Sequence, residues 1–349
     1  MSFKFETMKR TEIASLGEFG LIDHLTKNIE LKNSSTEKGV GDDAAVLSYE
    51  NKKTLVTTDL LLEGIHFDLM YAPLKHLGYK SAVVNFSDIY AMNGQPKQIT
   101  VSLGISKRFS VEDLEEFYEG LSLACQEYGV DIVGGDTSAS LTGLAISITC
   151  IGEGEEGKIV YRNGAKDTDL VCVSGDLGAA FMGLQLLERE KAVYDGKTDF
   201  QPDFTGKEYL LERQLKPEAR KDIIKVLAEE GIVPTSMIDI SDGLSSELKH
   251  ICKQSKTGCH IYEERLPIDY QTAMMAEQFN MNITTVALNG GEDYELLFTV
   301  PLYLHDQVSK IKGVRVIGHI TKEGSGLNIE TRDGTEIELK AQGWDSIAK

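Results

Sequence analysis

Residues 39–67 read GVGDDAAVLSYENKKTLVTTDLLLEGIHF. The runs AAVLSY (44–49) and KTLVTTDLLL (53–62) are rich in apolar and β-branched residues, and a polar turn separates them, which predicts two β-strands. Both runs are associated with carboxylates. Asp42 and Asp43 precede the first run, and Asp59 lies within the second. The fold is therefore expected to begin with a strand pair that carries acids at its ends.

The chain continues with a pattern of alternating helices and strands. Apolar residues surround nearly every side of the segment 77–92, which predicts a buried helix with Asp88 inside it. ITVSLGI (99–105) alternates like a strand, and Ser110 with Asp113 resembles a capping box that opens an amphipathic helix ending at Gly129. The run VDIV, a loop GGDTSAS and a strand LAISITCIG follow. The order ββαβαβ indicates an α+β unit rather than a regular βαβ array.

A glycine-rich acidic stretch after residue 152 separates this unit from a second one. The second unit begins with the strand LVCVSG and a helix over 177–188, and Pro217 suits the first turn of a helix that Gly231 ends. Strands HIYEE, LLFTV, VRVIGHI and a hairpin in LNIETRDGTEIELK follow. We therefore expect two domains, residues 1–152 and residues 153–349.

Composition restricts the partners. The 349 residues include 36 Lys and Arg and 55 Asp and Glu, a formal net charge of −19, which repels nucleic acid and anionic bilayers. The amino-terminal segment lacks an apolar signal region, and no stretch approaches the length of a membrane helix. Five cysteines without a Cys-x-x-Cys pair are read as reduced core thiols. We expect a cytoplasmic protein.

The sequence satisfies neither of two common nucleotide-binding motifs. The only Gly-Lys-Thr, residues 196–198, has Lys191 where a Walker A loop needs its first glycine. A formal G-x-G-x-x-G starts at Gly152, but its filler residues include three glutamates that would repel a pyrophosphate, and a strand-like run follows it. That segment is expected to be a turn.

A set of aspartates at strand ends or in apolar surroundings is the stronger signal. Asp88 is the clearest member, because a carboxylate removed from water must be paired, hydrogen-bonded or bound to a metal. Singly, Asp43 could be a turn acid, Asp136 an Asx-turn and Asp242 a helix N-cap. As a group, hard oxygen ligands without a His or Cys cluster favour several Mg²⁺ ions and phosphoryl transfer. The members are Asp42, Asp43, Asp59, Asp88, Asp136, Asp239 and Asp242.

Seven strings in order carry a resemblance over residues 15–345. They are GVGDDAAV, TTDLLLEGIHF, VVNFSDIYAMNGQP, DIVGGDTS, RNGAK, DISDGL and LNGGEDYELLFTV. Together they resemble the thiamine-monophosphate kinase family, of the aminoimidazole ribonucleotide synthetase-like superfamily, whose members bind ATP without a P-loop. The resemblance implies an α+β amino-terminal domain whose sheet pairs across a homodimer, followed by an α/β carboxy-terminal domain.

The resemblance also implies residue roles. The implied metal ligands are Asp43, Thr57, Thr58, Asp59, Asp88, Asp136, Asp239 and Asp242. The implied ATP contacts are Tyr118, Gly135, Asp136, Arg162 and Ser241. Tyr118 fits a core position equally well by helical phase. In the family, GGDT is often followed by another threonine and then by Arg-Gly. This chain has Ser138, Ala139 and Ser140 at those positions and therefore lacks that arginine.

For the second substrate the resemblance implies His66, Glu292 and Trp344. An aromatic face against a cationic thiazolium is physically reasonable. Alternatively, His66 closes its strand, Glu292 caps a turn and Trp344 fills a core.

The reaction implied is ATP plus thiamine monophosphate giving ADP plus thiamine diphosphate. It is expected to be direct and metal-assisted, with no residue acting as acid or base, because the phosphate nucleophile is already ionised. Two alternatives stay open. One is a superfamily enzyme that acts on a different phosphate or carbonyl acceptor, and the other is a non-catalytic nucleotide-binding regulator.

Overall fold

A computed structural model describes residues 36–38, 42–43, 45–49, 52–194 and 204–340. Its strands are β1 (Thr36–Lys38), β2 (Ala45–Tyr49), β3 (Lys52–Leu62), β4 (Gln95–Ile105), β5 (Asp131–Ala139), β6 (Ala145–Glu155), β7 (Leu170–Ser174), β8 (Ser236–Asp239), β9 (Gly258–Tyr262), β10 (Leu296–Val300), β11 (Val314–Thr321), β12 (Leu327–Glu330) and β13 (Glu336–Glu338). Its α-helices are α1 (Leu74–Ala91), α2 (Val111–Tyr128), α3 (Ala179–Val193), α4 (Glu208–Leu215), α5 (Lys221–Glu229), α6 (Leu244–Ser255), α7 (Tyr270–Gln278), α8 (Ile283–Asn289) and α9 (His305–Val308).

The first six strands form one sheet in the order β1-β2-β3-β6-β4-β5. The predicted strand pair is confirmed as β2 and β3, which run antiparallel. Along β6, every second residue from Ile146 to Gly154 is buried, and the residues between them are half-exposed. One face of the sheet therefore supports the helices, while the other remains partly open.

Helices α1 and α2 pack closely against one another because each carries a glycine that faces the backbone of the other helix. A Cβ on Gly78 would lie 1.9 Å from the carbonyl oxygen of Phe117, and one on Gly120 would lie 1.7 Å from that of Lys75. The capping box of α2 is confirmed, because Ser110 and Asp113 make both reciprocal hydrogen bonds. The predicted buried helix that carries Asp88 is confirmed as α1.

The expected loop GGDTSAS is instead part of a strand. β5 runs through it and pairs in parallel with β4, with Val101 opposite Gly135. A Cβ on Gly135 would lie 1.9 Å from the carbonyl oxygen of Val101, so a glycine there permits the close approach. Within the described residues this unit therefore has six strands, two more (β1 and β5) than the order ββαβαβ indicates.

The other seven strands form a second sheet in the order β13-β12-β9-β11-β7-β10-β8. Within the described residues its pairs are antiparallel except for β9 with β12. The expected α+β class is therefore confirmed, and the second half departs from the parallel pattern of an α/β unit.

In this half one helix boundary differs from expectation, and one further helix is present. The helix expected from Pro217 begins at Lys221, since residues 217–220 carry no helical backbone, and it ends at Glu229 before Gly231 in a left-handed conformation. Helix α4 is not indicated by the sequence pattern. It buries Leu210 and Gln214, a face too short to give a clear periodic signal.

The proposed division at residue 152 falls inside β6, which continues to Glu155. One hydrophobic core also joins the two halves, because Phe86 and Leu121 belong to the same buried cluster as Leu227 and Phe298. All five cysteines are free and buried, as expected. Among the helices of the described residues, none combines the length and the apolar character that crossing a membrane requires.

Candidate active site

Three carboxylates from distant parts of the chain meet beneath the first sheet. Asp43 precedes β2, Asp88 lies in α1, and Asp239 is the last residue of β8. One oxygen of each lies within 4.8 Å of the others. We call this group the acidic trio. It joins the two halves of the chain, because Asp239 comes from the second sheet.

Short hydrogen bonds fix each member of the acidic trio. The Thr57 hydroxyl donates to Asp88 Oδ2 at 2.5 Å, and the Ser87 hydroxyl donates to Asp239 Oδ2 at 2.6 Å. Arg162 Nε donates to Asp43 Oδ2 at 3.0 Å, and a second guanidinium nitrogen donates to Asp43 Oδ1. Arg162, which is predicted to contact ATP, is therefore paired with a predicted metal ligand.

Burial and mutual repulsion disfavour ionisation in the acidic trio. Burial, followed by the charges of Asp59, Asp239 and Asp43, raises the pKa of Asp88 well above its usual range. Burial and the charge of Asp43 likewise raise the pKa of Asp239, and burial raises the pKa of Asp59 to about 6. A divalent cation would reverse this penalty, and carboxylate oxygens are the ligands that Mg²⁺ prefers. The donor set therefore fits Mg²⁺.

Strand β3 divides the predicted ligands Thr57, Thr58 and Asp59 between two faces. Successive side chains of a strand point to opposite sides. Thr57 contacts Asp88 of α1, which places Thr57 and Asp59 on the helix side. Thr58 is exposed on the other face and donates to the carbonyl oxygen of Ile148 at 3.0 Å. The side chain of Thr58 is thus separated from the acidic trio by the sheet.

The backbone of the segment DISDGL is hydrogen-bonded to a buried carboxylate. Glu247 Oε1 accepts the backbone N–H groups of Ser241 at 3.1 Å and Asp242 at 2.8 Å. Burial and the charge of Asp242 raise the pKa of Glu247. Asp242 is not the N-cap of α6, since Gly243 takes that position with φ of +112°. Asp242 and Ser241 therefore lie in a rigid loop next to Asp239.

Three of the predicted ATP contacts line one open groove. Tyr118, Gly135 and Asp136 surround a space of about 420 Å³ between α2 and the edge strand β5. Tyr118 is 38% exposed, so it is not the core residue that its helical phase also allowed. Asp136 belongs to this groove and not to the acidic trio.

The predicted contacts for the second substrate are partly brought together. His66 lines a narrow cavity with Lys80 and Gln214, and its Nδ1 accepts the backbone N–H of Leu62 at 2.9 Å. Glu292 Oε2 accepts from Lys80 Nζ at 3.0 Å and from Gln214 Nε2 at 2.8 Å. Lys80 therefore lines the same cavity as His66 and also binds Glu292, whereas Trp344 lies outside the described residues.

Known proteins share both sequence and fold with this chain. Residues 41–153 match the family model described as AIR synthase related protein, N-terminal domain. The chain is 37% identical over 332 residues to the thiamine-monophosphate kinase of Aquifex aeolicus (strain VF5), a match that covers 95% of this chain and 98% of that protein. The chain belongs to the thiamine-monophosphate kinase family. The enzyme from Bacillus subtilis (strain 168) is 32% identical, with 95% and 99% covered.

A solved structure in the thiamine-monophosphate kinase family agrees in fold. It is described as "AaThiL complexed with AMPPCP and TMP", and it superposes with a TM-score of 0.81 at 35% identity, covering 96% of this chain and 98% of that one. The family resemblance, the fold class and the assignment to a kinase are thereby confirmed. The individual ligand roles stay predictions.

Several residues of this family member escaped the sequence reasoning. Ser87 stands one position before Asp88 but donates to Asp239, and Lys80 and Gln214 bind Glu292 from helices far away in sequence. Only Lys80 offered a signal, since a lysine within a run of buried residues needs a partner. Nothing local in the sequence points to Gln214 or Glu247.

Proposed function

We propose that this chain transfers the γ-phosphoryl group of ATP to thiamine monophosphate, giving ADP and thiamine diphosphate. The observation that carries this proposal is the acidic trio in a chain of this family. The relative described with AMPPCP, an ATP analogue, and TMP supports the same pair of substrates. The nucleotide would occupy the groove beside Tyr118, Gly135 and Asp136.

We propose that Asp43, Asp88 and Asp239 hold Mg²⁺, with Thr57, Asp59 and Asp242 as further ligands. Asp136 would bind a metal ion in the groove beside Tyr118, and the side chain of Thr58, on the other face of the sheet, is not among the ligands. Bound metal would supply neutralisation of the negative charge shared by two polyanions. Among the residues that the structure describes, Thr57 and Ser87 already orient two of the carboxylates by hydrogen bonds. The protein thus supplies a prearranged set of oxygen ligands.

The remaining residues position the reactants. Arg162 would exchange part of its pairing with Asp43 for a phosphate oxygen, and Ser241 would contact ATP from the loop that Glu247 holds. His66, Glu292 and Trp344 would bind the thiamine portion. The acceptor oxygen would attack the γ-phosphorus directly, so we assign no general base and no covalent intermediate.

We further propose a homodimer formed through the outer face of the first sheet. Thr58 and Ser102 are exposed there, and Leu60 is 55% exposed. A β-sheet face with exposed apolar side chains favours burial against a second copy. We also propose a cytoplasmic location, which the five free cysteines support.

A product assay tests the proposed reaction. Purified protein is incubated with ATP, Mg²⁺ and thiamine monophosphate, with pyridoxal phosphate and purine-precursor phosphates as control acceptors. Thiamine diphosphate and ADP should form in equal amounts, and only with the thiamine acceptor. Faster ADP release with another acceptor would favour a different enzyme of the superfamily, and no ADP release at all would favour a nucleotide-binding regulator.

A further inference from the structure

Lys80 is a buried cation inside the subsite proposed for the thiamine portion of the substrate, which carries a positively charged thiazolium ring. Its side chain is 8% exposed, while that of its partner Glu292 is 32% exposed. Lys80 Nζ also donates to the backbone carbonyl of Gln214 at 2.9 Å, near the end of α4. A buried lysine near a cationic ligand is unfavourable unless it has a specific task.

The hydrogen bonds of this pair leave one donor and one acceptor for a ligand. Lysine carries three N–H donors, and within the described residues two of them go to Gln214 and Glu292. Glu292 Oε2 accepts both Lys80 and Gln214, so among the same residues Oε1 has no hydrogen-bond donor. A donor on Lys80 thus stands beside an acceptor on Glu292.

The backbone holds Glu292 in this orientation. Glu292 adopts φ of +64°, a left-handed conformation that is strained for a residue with a side chain. Its N–H donates to the carbonyl oxygen of Ser241 at 2.7 Å, which ties it to the loop next to Asp239. Strain maintained by such contacts is typical of binding sites.

The subsite also lies at a suitable distance from the acidic trio. Lys80 and Ser87 are seven residues apart on one face of α1, about 10 Å along the helix axis, and Ser87 contacts Asp239. Thiamine monophosphate separates its phosphate from its pyrimidine by an ethyl chain, a thiazolium ring and a methylene bridge, a span of similar order. The cavity beside Lys80 is about 20 Å³, enough for one water, so the ring would lie across its mouth.

We propose that Lys80 determines acceptor specificity, because Lys80 and Glu292 together bind the aminopyrimidine edge of thiamine monophosphate. Lys80 Nζ donates to the ring nitrogen, and Glu292 Oε1 accepts from the adjacent exocyclic amine. This role rests on the proposed function, and it adds a residue whose charge would otherwise oppose the cationic thiazolium ring.

The test compares thiamine monophosphate with the analogue in which an oxo group replaces the 4-amino group. In that analogue the ring nitrogen becomes a donor and the exocyclic atom an acceptor, so both hydrogen bonds are mismatched. We expect the wild-type kcat/KM to be about 100-fold lower for the analogue. In Lys80→Met we expect kcat/KM for thiamine monophosphate to exceed that for the analogue by less than about tenfold, mainly because the KM for thiamine monophosphate is higher.

Lys75→Met is the matched control, since this lysine lies on the same helix but its side chain is 42% exposed. It should keep the wild-type ratio. A Lys80→Met variant that lowers kcat/KM equally for both acceptors would assign Lys80 a structural role and overturn the proposal. If Lys80→Met does not fold, Glu292→Gln replaces it, and that variant should shift its preference towards the oxo analogue.

The two proposals fail differently. A wild-type chain that makes no thiamine diphosphate overturns the proposed function and this inference with it. A wild-type chain that makes thiamine diphosphate but treats both acceptors alike overturns only the inference about Lys80.

Discussion

Asp88→Asn should stabilise the metal-free protein while abolishing its response to Mg²⁺. Two ionised carboxylates whose oxygens lie within 4.8 Å repel each other by about 3 kcal/mol at an effective dielectric constant near 20. Asp88 has two such neighbours, Asp43 and Asp239, although Arg162 and partial protonation reduce the repulsion. We therefore expect the free energy of unfolding to rise by about 1 to 3 kcal/mol in Asp88→Asn without metal. The new amide oxygen can still accept from Thr57.

Thermal unfolding with and without Mg²⁺ measures both effects. At a Mg²⁺ concentration about 100 times its Kd the wild type should gain about 2.7 kcal/mol, and Asp88→Asn should gain almost nothing. The Tm of the wild type should therefore rise when Mg²⁺ is added while that of the variant stays nearly constant, and kinase turnover should be lost in the variant. Asp306→Asn, at a side chain that is 94% exposed, is the control. A variant that unfolds earlier than the wild type without metal, yet responds equally to Mg²⁺, would refute the reasoning.

Three further predictions concern pH, the groove and helix packing. Burial raises the pKa of Asp59 to about 6, so the folded protein favours the neutral carboxyl group. The free energy of unfolding should therefore fall as the pH rises from about 4 through 6. In Asp59→Asn, the Tm of the metal-free protein should vary less with pH in that range. Tyr118→Ala should raise the KM for ATP about fivefold and leave that for the acceptor unchanged, measured by steady-state kinetics. Gly120→Ala should cost about 2 to 3 kcal/mol by forcing its Cβ against the Lys75 carbonyl, whereas Gly129→Ala, in open space at φ of +72°, should cost about 1 kcal/mol, as compared by urea unfolding.

Local patterns of the sequence predict much of the fold, and contacts between distant residues account for the rest. The capping box at Ser110 and the apolar surroundings of Asp88 depend on neighbours a few positions away, so periodicity indicates them. β5 was missed because its glycines favour turns locally, and only parallel pairing with β4 makes the segment a strand. The pairing of Arg162 with Asp43 spans 119 positions, and no residue pattern near either one predicts it.

In the candidate site, too, local sequence patterns predict some features and contacts between distant residues decide the others. The motifs indicate which acids belong together, but not which of them touch or what neutralises them. Glu292 shows this, since its family motif suggests a ligand contact, while its partner Lys80 stands 212 positions away. Thr58 is an opposite case, in which the motif predicts a role that the geometry does not support. The motif places Thr58 next to Thr57, but side chains alternate along a strand, so Thr58 lies on the other face of the sheet.

The net charge of −19 has a local counterpart with a physical consequence. The acidic trio takes Asp43 and Asp88 from the first half of the chain and Asp239 from the second, and Ser87 of α1 bonds to Asp239 across the junction. Without a cation the repulsion within the acidic trio therefore acts to separate the two halves. A bound divalent ion would convert the same contact into an attraction between them. Metal binding should thus stabilise the junction on which both the nucleotide groove and the Lys80–Glu292 subsite depend, so that the site is most rigid when it is ready to react.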